Sequence, residues 1–485
     1  MRPSRPEFLL YAGYLAVLAG IAHAYAPTNL SGAVGGTAVL AALAVASLLE
    51  ASRPPVRSPA RRGIRRVAAL ALVLLALILL FMHAASAFIA LSVVPPLAKA
   101  WAVLEVAGLV VCVGLSRRGP AFRMAAATLL FLGSVPYYGL CLWLWQAPDE
   151  GECEAIDRPG VVERLTPPEW PAERSYGFDV LYAPDRDLVF ASFKMAGNLT
   201  ITGWNDPNAN RLWAAHVPPS ARPQTAVLSL PGPTMPEYLA WDPGRAELLV
   251  TRLGKGGSEL AVVAVDFPSL QVARSVAIDF DPHTPVWPPD SRSLGIFSQH
   301  ERFRMLDKES FKETFYSRVP GGGLVLDAWQ SPGSTRVYLS LVGPNLAELD
   351  LADPGSVRLA NVTFGGGQLT AVPAAGRLFQ TDLLLRALNV LDLERFELLR
   401  RLMLDYTPRS VVGDAARDLL LVGDWFGGRL VPYRMSTLEP LAPIVSVGPG
   451  PRNFAWDAGS GRLFVATKCG VVQVNVDALD LRLPE

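Results

Sequence analysis

The chain has 485 residues, and its 44 Lys and Arg are balanced by 44 Asp and Glu, giving a formal net charge of zero. That balance argues against a nucleic-acid partner, which is recognised first through its phosphates. A hydrophobic content of 51% with a mean hydropathy of +0.28 argues equally against an ordinary soluble protein.

The apolar excess lies before residue 147. Stretches Phe8 to Tyr25, Leu30 to Leu49, Val67 to about Val93, Leu97 to Leu115 and Met124 to Trp145 are nearly free of charge. Each approaches or exceeds the ~20 residues that cross a hydrocarbon layer. They predict an N-terminal transmembrane α-helical bundle of about five helices over 1–147, then a linker over 148–159. Arg2 and Arg5 precede the first helix, six arginines from Arg53 to Arg66 separate the second and third, and Arg117, Arg118 and Arg123 separate the fourth and fifth. The other two connections carry no Lys or Arg. By the positive-inside rule the N-terminus is cytoplasmic and everything after the fifth helix lies outside, as expected of a bacterial inner-membrane protein with a periplasmic or extracellular domain. The first segment, ending Ala22-His23-Ala24-Tyr25-Ala26, also reads as a cleavable signal peptide, which would leave four helices and the same final orientation. Glu105 and His83 are the polar handles of the bundle; they read as a structural clasp or as a relay within the membrane.

Beyond the linker the pattern changes to an all-β domain over 160–485. A short apolar strand, an Asp-containing turn and a second apolar strand recur every ~42 residues, the mark of propeller blades. Phe178-Asp179-Val180 precedes Leu188 to Phe190, Glu237 to Asp242 precedes Leu248 to Val250, and Pro285 to Asp290 precedes Leu294 to Ile296. Leu324 to Trp329 precedes Val337 to Leu339, and Leu369 to Val372 precedes Leu378 and Phe379. Pro408 to Asp414 precedes Leu419 to Val422, and Pro451 to Asp457 precedes Leu463 to Ala466. The copies predict a seven-bladed β-propeller, with a loop around Trp204 to Pro233 accounting for the long first spacing. Too little chain follows Val476 for a good outermost strand, so Gly160 to Leu165 is expected to complete the C-terminal blade and remove its free edge.

The segments Gly448 to Asp477 and Asp405 to Glu439 resemble YVTN-type propeller repeats, which combine a Gly-x-x-Pro start, an Asp turn and an apolar Leu-Phe-Val strand. The resemblance covers only a small part of the chain. It implies a propeller and no particular reaction, since propellers serve as binding platforms, lactonases, oxidoreductases and scaffolds.

Cys153 and Cys469 both fall on the oxidising side, where a disulfide between them would pin the linker to the last blade. Against this, the strand beginning at Val161 starts at the opposite face from Cys469, although the intervening residues are long enough to reach across one blade. Residues that begin the first strand of a blade and end the second share one face. These are Arg409, Arg452, Glu237 and Gln368 at the starts, and Lys194, Arg252, Asp382, Asp424 and Lys468 at the ends, with Trp425 alongside. They predict a polar funnel in which Arg409 and Arg452 hold a carboxylate or phosphate bidentately.

No metal centre or cofactor is expected. His216, His283 and His300 are scattered, and the pairs Asp185/Asp187 and Asp279/Asp281 read as turn formers before calcium ligands. No nucleophile elbow or phosphate loop is present. The leading functional expectation is a membrane-anchored binding module, its propeller taking a protein or small acidic ligand and its helices the lipid bilayer. The alternatives are a lactonase-like or oxidoreductase-like enzyme, or a membrane transport or relay component with an accessory propeller.

Overall fold

A strand covered on both faces by neighbouring sheets carries an unbroken apolar run rather than an alternating one. In the computed structural model, which describes residues 153–483 apart from short stretches of which the longest is 196–210, every such run identified above is the second strand of a four-stranded sheet. The described residues belong to one compact unit, Gln146–Ala196 with Trp204–Glu485. Their 28 strands, numbered β1 to β28 in chain order, form seven antiparallel sheets of four, a seven-bladed β-propeller. The expected spans from Phe8 to Trp145, with Glu105 and His83, lie outside the described residues. Among the described residues no helix is long and apolar enough to cross a membrane.

The innermost strands, in blade order, are β2 (Ser175–Ala183), β6 (Thr234–Asp242), β10 (Pro282–Val286), β14 (Val325–Gln330), β18 (Gly366–Val372), β22 (Pro408–Asp414) and β26 (Asn453–Asp457). In the third blade β10 begins three residues ahead of the copy anticipated at Pro285, which brings His283 onto the innermost strand. The stretch expected as one loop from Trp204 to Pro233 contains the outer half of the first blade, β4 (Arg211–His216) and β5 (Gln224–Ser229). The extra length therefore falls between β3 (Leu188–Met195) and β4.

Neighbouring blades pack face to face, and each of the seven contacts has its own apolar cluster. Between the first and second blades Phe190 stacks on Trp241 with ring centroids 5.6 Å apart. Between the third and fourth, Phe297 and Phe303 stack at 4.7 Å and meet Val325 and Val337. Burial of a side chain of this size stabilises by about 1.5–3 kcal/mol. The outermost strands touch a neighbour only in part and alternate accordingly, as β9 (Ser269–Ile278) does between exposed and half-buried positions.

The turn from first to second strand is built the same way in most blades. In three of them an Asp side chain caps it: Asp242 accepts from Gly244 N–H at 3.1 Å, Asp414 from Ala416 N–H at 2.8 Å and Asp457 from Gly459 N–H at 3.1 Å. The residue just before the second strand then adopts a left-handed conformation: Asp187 (φ 50°), Ala246 (φ 52°), Gly376 (φ 62°), Asp418 (φ 48°) and Gly461 (φ 66°).

Ring closure comes from β1 (Val162–Arg164), which pairs antiparallel with β28 (Gly470–Asn475) through Val162–Val474 and Arg164–Val472. The last blade thus takes its outer strand from the beginning of the domain. Ahead of it, Cys153 is bonded to Cys469 with Cα atoms 5.5 Å apart. Cys153 and Ile156 pack into the cluster between the sixth and seventh blades with Val445 and Val447. The linker therefore descends along the cleft between two blades to reach the far end of β28, which reconciles the bond with opposite starting faces.

Three outcomes are expected, all read as unfolding stability. Reduction of the disulfide, or Cys153→Ser, lowers unfolding stability by about 3–5 kcal/mol, as a cross-link closing a loop of some hundreds of residues should, read from the urea midpoint with and without reductant. Gly376→Ala, with open space at its Cβ, costs about 1 kcal/mol from backbone strain alone. Gly461→Ala costs more, because its Cβ would strike the Asp477 carboxylate that Arg417 grips at 2.8 and 2.9 Å.

Candidate functional site

Seven strands converging on one axis crowd where they begin, and the chain relieves that crowding with irregular pairing. Six of the innermost strands break register against their second strand within their first few residues. The breaks fall between Gly177 and Asp179, Pro236 and Leu239, Pro282 and Pro285, Val325 and Asp327, Gly366 and Leu369, and Pro408 and Ser410. In the seventh blade Asn453 pairs with Ala466, while Arg452 N–H also donates to the Ala466 carbonyl at 2.9 Å.

The side chains released from the ladders at these points line a cavity on the propeller axis. Its wall consists of Phe178, Tyr238, Leu326, Asp327, Gln368, Arg409, Arg452 and Asn453, around about 250 Å³ of space that includes its open mouth. Only about 10 Å³ of it can be occupied by the centre of a water-sized group, so the pocket proper admits one small polar group and the rest is its open mouth. At Gly366 and Gly367 a Cβ would collide with Ser340 and Thr381, so this glycine pair is a close-packing requirement rather than a flexible link between blades.

Several axial side chains also join one blade to the next. Asp179 accepts Val180 N–H at 2.9 Å and, across the blade boundary, Leu239 N–H at 2.8 Å. Asp327 accepts Leu369 N–H at 3.0 Å, and the Gln368 side-chain oxygen accepts Val411 N–H at 3.2 Å. Gln368 and Asn453 bond to each other, and Asn453 donates to Asp179. Burial pushes the carboxyls of Asp179 and Asp327 up to about 7, against the opposing pull of the backbone N–H donors and, for each, an arginine: Arg452 for Asp179 and Arg409 for Asp327. Burial likewise raises the Tyr238 hydroxyl, which shares a 2.5 Å hydrogen bond with His283 Nε2. The Arg452 guanidinium lies 3.9 Å above the Phe178 ring, and Phe178 meets Tyr238 edge-on at 5.1 Å.

Of the residues singled out from the sequence, the starts of the innermost strands come together: Arg409, Arg452 and Gln368 line the cavity, and Glu237 is buried next to Tyr238. Ends of the second strands sit one strand farther out and do structural work. Arg252 pairs with Glu259 at 2.5 Å, Asp382 accepts Leu385 N–H at 2.9 Å, and Asp424 pairs with Arg429 at 2.7 Å while accepting Gly427 N–H at 3.1 Å. Lys468 is buried against Gly450, beside which half-buried Trp425 also lies. None of these five lines the axial cavity, so the side chains form a narrow axial site rather than a wide funnel of mixed sign. The Lys194 side chain lies outside the described residues, as do Asp281 and His300.

Asp187 accepts the Tyr182 hydroxyl at 2.8 Å, Asp185 accepts Trp241 Nε1 at 2.7 Å and Asp279 pairs with Arg304 at 2.8 Å. Among the described residues no cluster of His, Cys, Asp and Glu is arranged to hold a metal ion.

The sequence reading passed over Asp179, Asp327, Tyr238, His283 and Asn453 as site residues. A signal for the position was present, because Gly177, Pro236, Pro282, Pro408 and Pro451 each stand directly before an axial residue. Proline within a strand is confined to its start, an edge or a bulge.

No protein family matches the chain, and no curated protein matches it.

The raised carboxyls fix the sign of a pH effect. Asp179 and Asp327 keep their protons to about pH 7 when folded but lose them near the ordinary 3.8 when unfolded, so the folded state binds more protons between those values. Their contribution to stability is complete below about pH 4 and is lost as pH rises through 7. The urea midpoint is expected to fall between about pH 5.5 and 8.5, and Asp327→Asn to flatten that slope; a midpoint that climbs over this range would contradict the assignment.

Proposed function

We propose that the chain is a membrane-anchored propeller, displayed outside the cytoplasm, whose axial site binds a small organic carboxylate. The observation that carries this reading is the convergence of Arg409 and Arg452, from adjacent blades, on one small cavity with apolar walls at Phe178, Tyr238 and Leu326. Guanidinium groups match a carboxylate through parallel N–H donors. The apolar walls favour an anion with a hydrocarbon body over inorganic phosphate. Anchoring is supported by the five apolar stretches, nearly free of charge, and the placement of arginine between them.

An enzymatic reading has one observation in its favour, a carboxyl titrating near 7 beside the cavity. Binding is preferred because Asp327 already accepts Leu369 N–H and the Tyr238 hydroxyl is already bonded to His283, which commits both groups to the scaffold.

Titration calorimetry of the full-length chain in detergent, with propionate, succinate and inorganic phosphate, tests the site. Either carboxylate is expected to bind more tightly than phosphate. Arg409→Ala with Arg452→Ala is expected to weaken carboxylate binding by at least 100-fold, and the two Lys replacements to restore it only in part. Equal affinity in the double Ala variant would move the site elsewhere.

A further inference from the structure

We propose that the axial site takes up its carboxylate together with one proton, which comes from solvent and is held on Asp327. This rests on the carboxylate-site reading above and adds a linkage to it.

The argument begins with placement. Asp327 lines the same cavity as Arg409 and Arg452, and one of its oxygens is held by Leu369 N–H at 3.0 Å, so the carboxyl cannot swing away from an arriving anion. The groups facing it are Arg409 from β22, Asp179 from β2, Tyr238 from β6, the neutral Gln368 from β18 and Arg452 just ahead of β26, with His283 and Glu237 one contact farther, beside Tyr238. Two of these neighbours are cations, and Arg409 is the one that favours the ionised form of Asp327.

A carboxylate seated on the two guanidiniums changes that balance in two ways, both in one direction. It shares the Arg409 charge, weakening the support for Asp327 as an anion. It also brings a negative charge beside Asp327, where like charges repel. Because Asp327 in the unliganded site already titrates at about 7, a modest further rise suffices to make it protonated in the complex at neutral pH. The same proton turns one Asp327 oxygen into a donor facing an acceptor-rich ligand. Asp179 is held by two backbone N–H groups and Asn453 and lies outside the cavity wall, so it feels the ligand less.

Calorimetry of the full-length chain with propionate and succinate at about pH 7.5, in two buffers of different ionisation enthalpy, counts the protons exchanged. Uptake approaching one proton per ligand is expected, with affinity falling up to tenfold per pH unit above about 7. Asp327→Asn is expected to abolish both the uptake and the pH dependence, whatever affinity it retains. Carboxylate binding with no proton uptake, or uptake unchanged in Asp327→Asn, overturns the linkage and leaves the carboxylate site standing. Failure of the unaltered chain to bind either carboxylate overturns the site itself, and the linkage with it. The proton count is made on the unaltered chain, so the test survives if the variant folds poorly.

Discussion

Backbone N–H groups at the crowded centre of the ring must find partners where no adjacent strand can supply them, and the rest of this propeller is arranged around that requirement. Six of the seven innermost strands leave their ladders for a residue or two near their starts, which would strand donors at the axis. Asp179, Asp327 and Gln368 meet three of them, each reaching from its own blade to the N–H of the next: Leu239, Leu369 and Val411. One set of side chains thereby fixes the angle between neighbouring sheets and shapes the space between them. The arginines fall one residue before Ser410 and Asn453, which are the register equivalents of Asp179 and Asp327 in the sixth and seventh blades, so they take the places that Phe178 and Leu326 hold in the first and fourth.

The apolar clusters between blades depend on this geometry as much as they support it. Phe190 stacks on Trp241, and Phe297 and Phe303 reach Val325 and Val337, only when consecutive sheets approach at the angle the axial bonds set. Rim contacts such as Arg417 to Asp477 repeat the joining at the periphery between the sixth and seventh blades. The burial is large and nondirectional, whereas the axial bonds are few and directional. The first drives the sheets together and the second selects how many of them close a ring.

Legibility in the sequence followed the same division. Second strands such as Leu419–Asp424 are buried on both faces and announce themselves as uninterrupted apolar runs, which is why seven units and their turns could be found by eye. The closing strand was legible because a missing outer strand is a topological deficit that only the domain's own beginning can fill. Outer strands were not: β4 and β5 were absorbed into a supposed loop, since an edge strand alternates weakly and Arg211–His216 is set apart from β3 by a long insertion. Among site residues, charge made Arg409 and Arg452 visible, yet the same criterion drew in Asp424 and Arg252, whose charges are neutralised locally by Arg429 and Glu259. Asp179 and Asp327 were hidden for the opposite reason. In a repeat whose turns are full of aspartate, an aspartate inside an innermost strand resembles every other one until the neighbouring blade is in place.

The position of the Cys153–Cys469 bond has a mechanical meaning. Tension arriving along the chain from the N-terminal side reaches a covalent link into the hairpin of β27 (Arg462–Thr467) and β28 before it reaches the three-residue ladder of β1. The load is diverted past the weakest seam of the ring into a hairpin anchored deep in its blade, so a tug on the stem cannot peel the toroid open while the sulfurs remain joined.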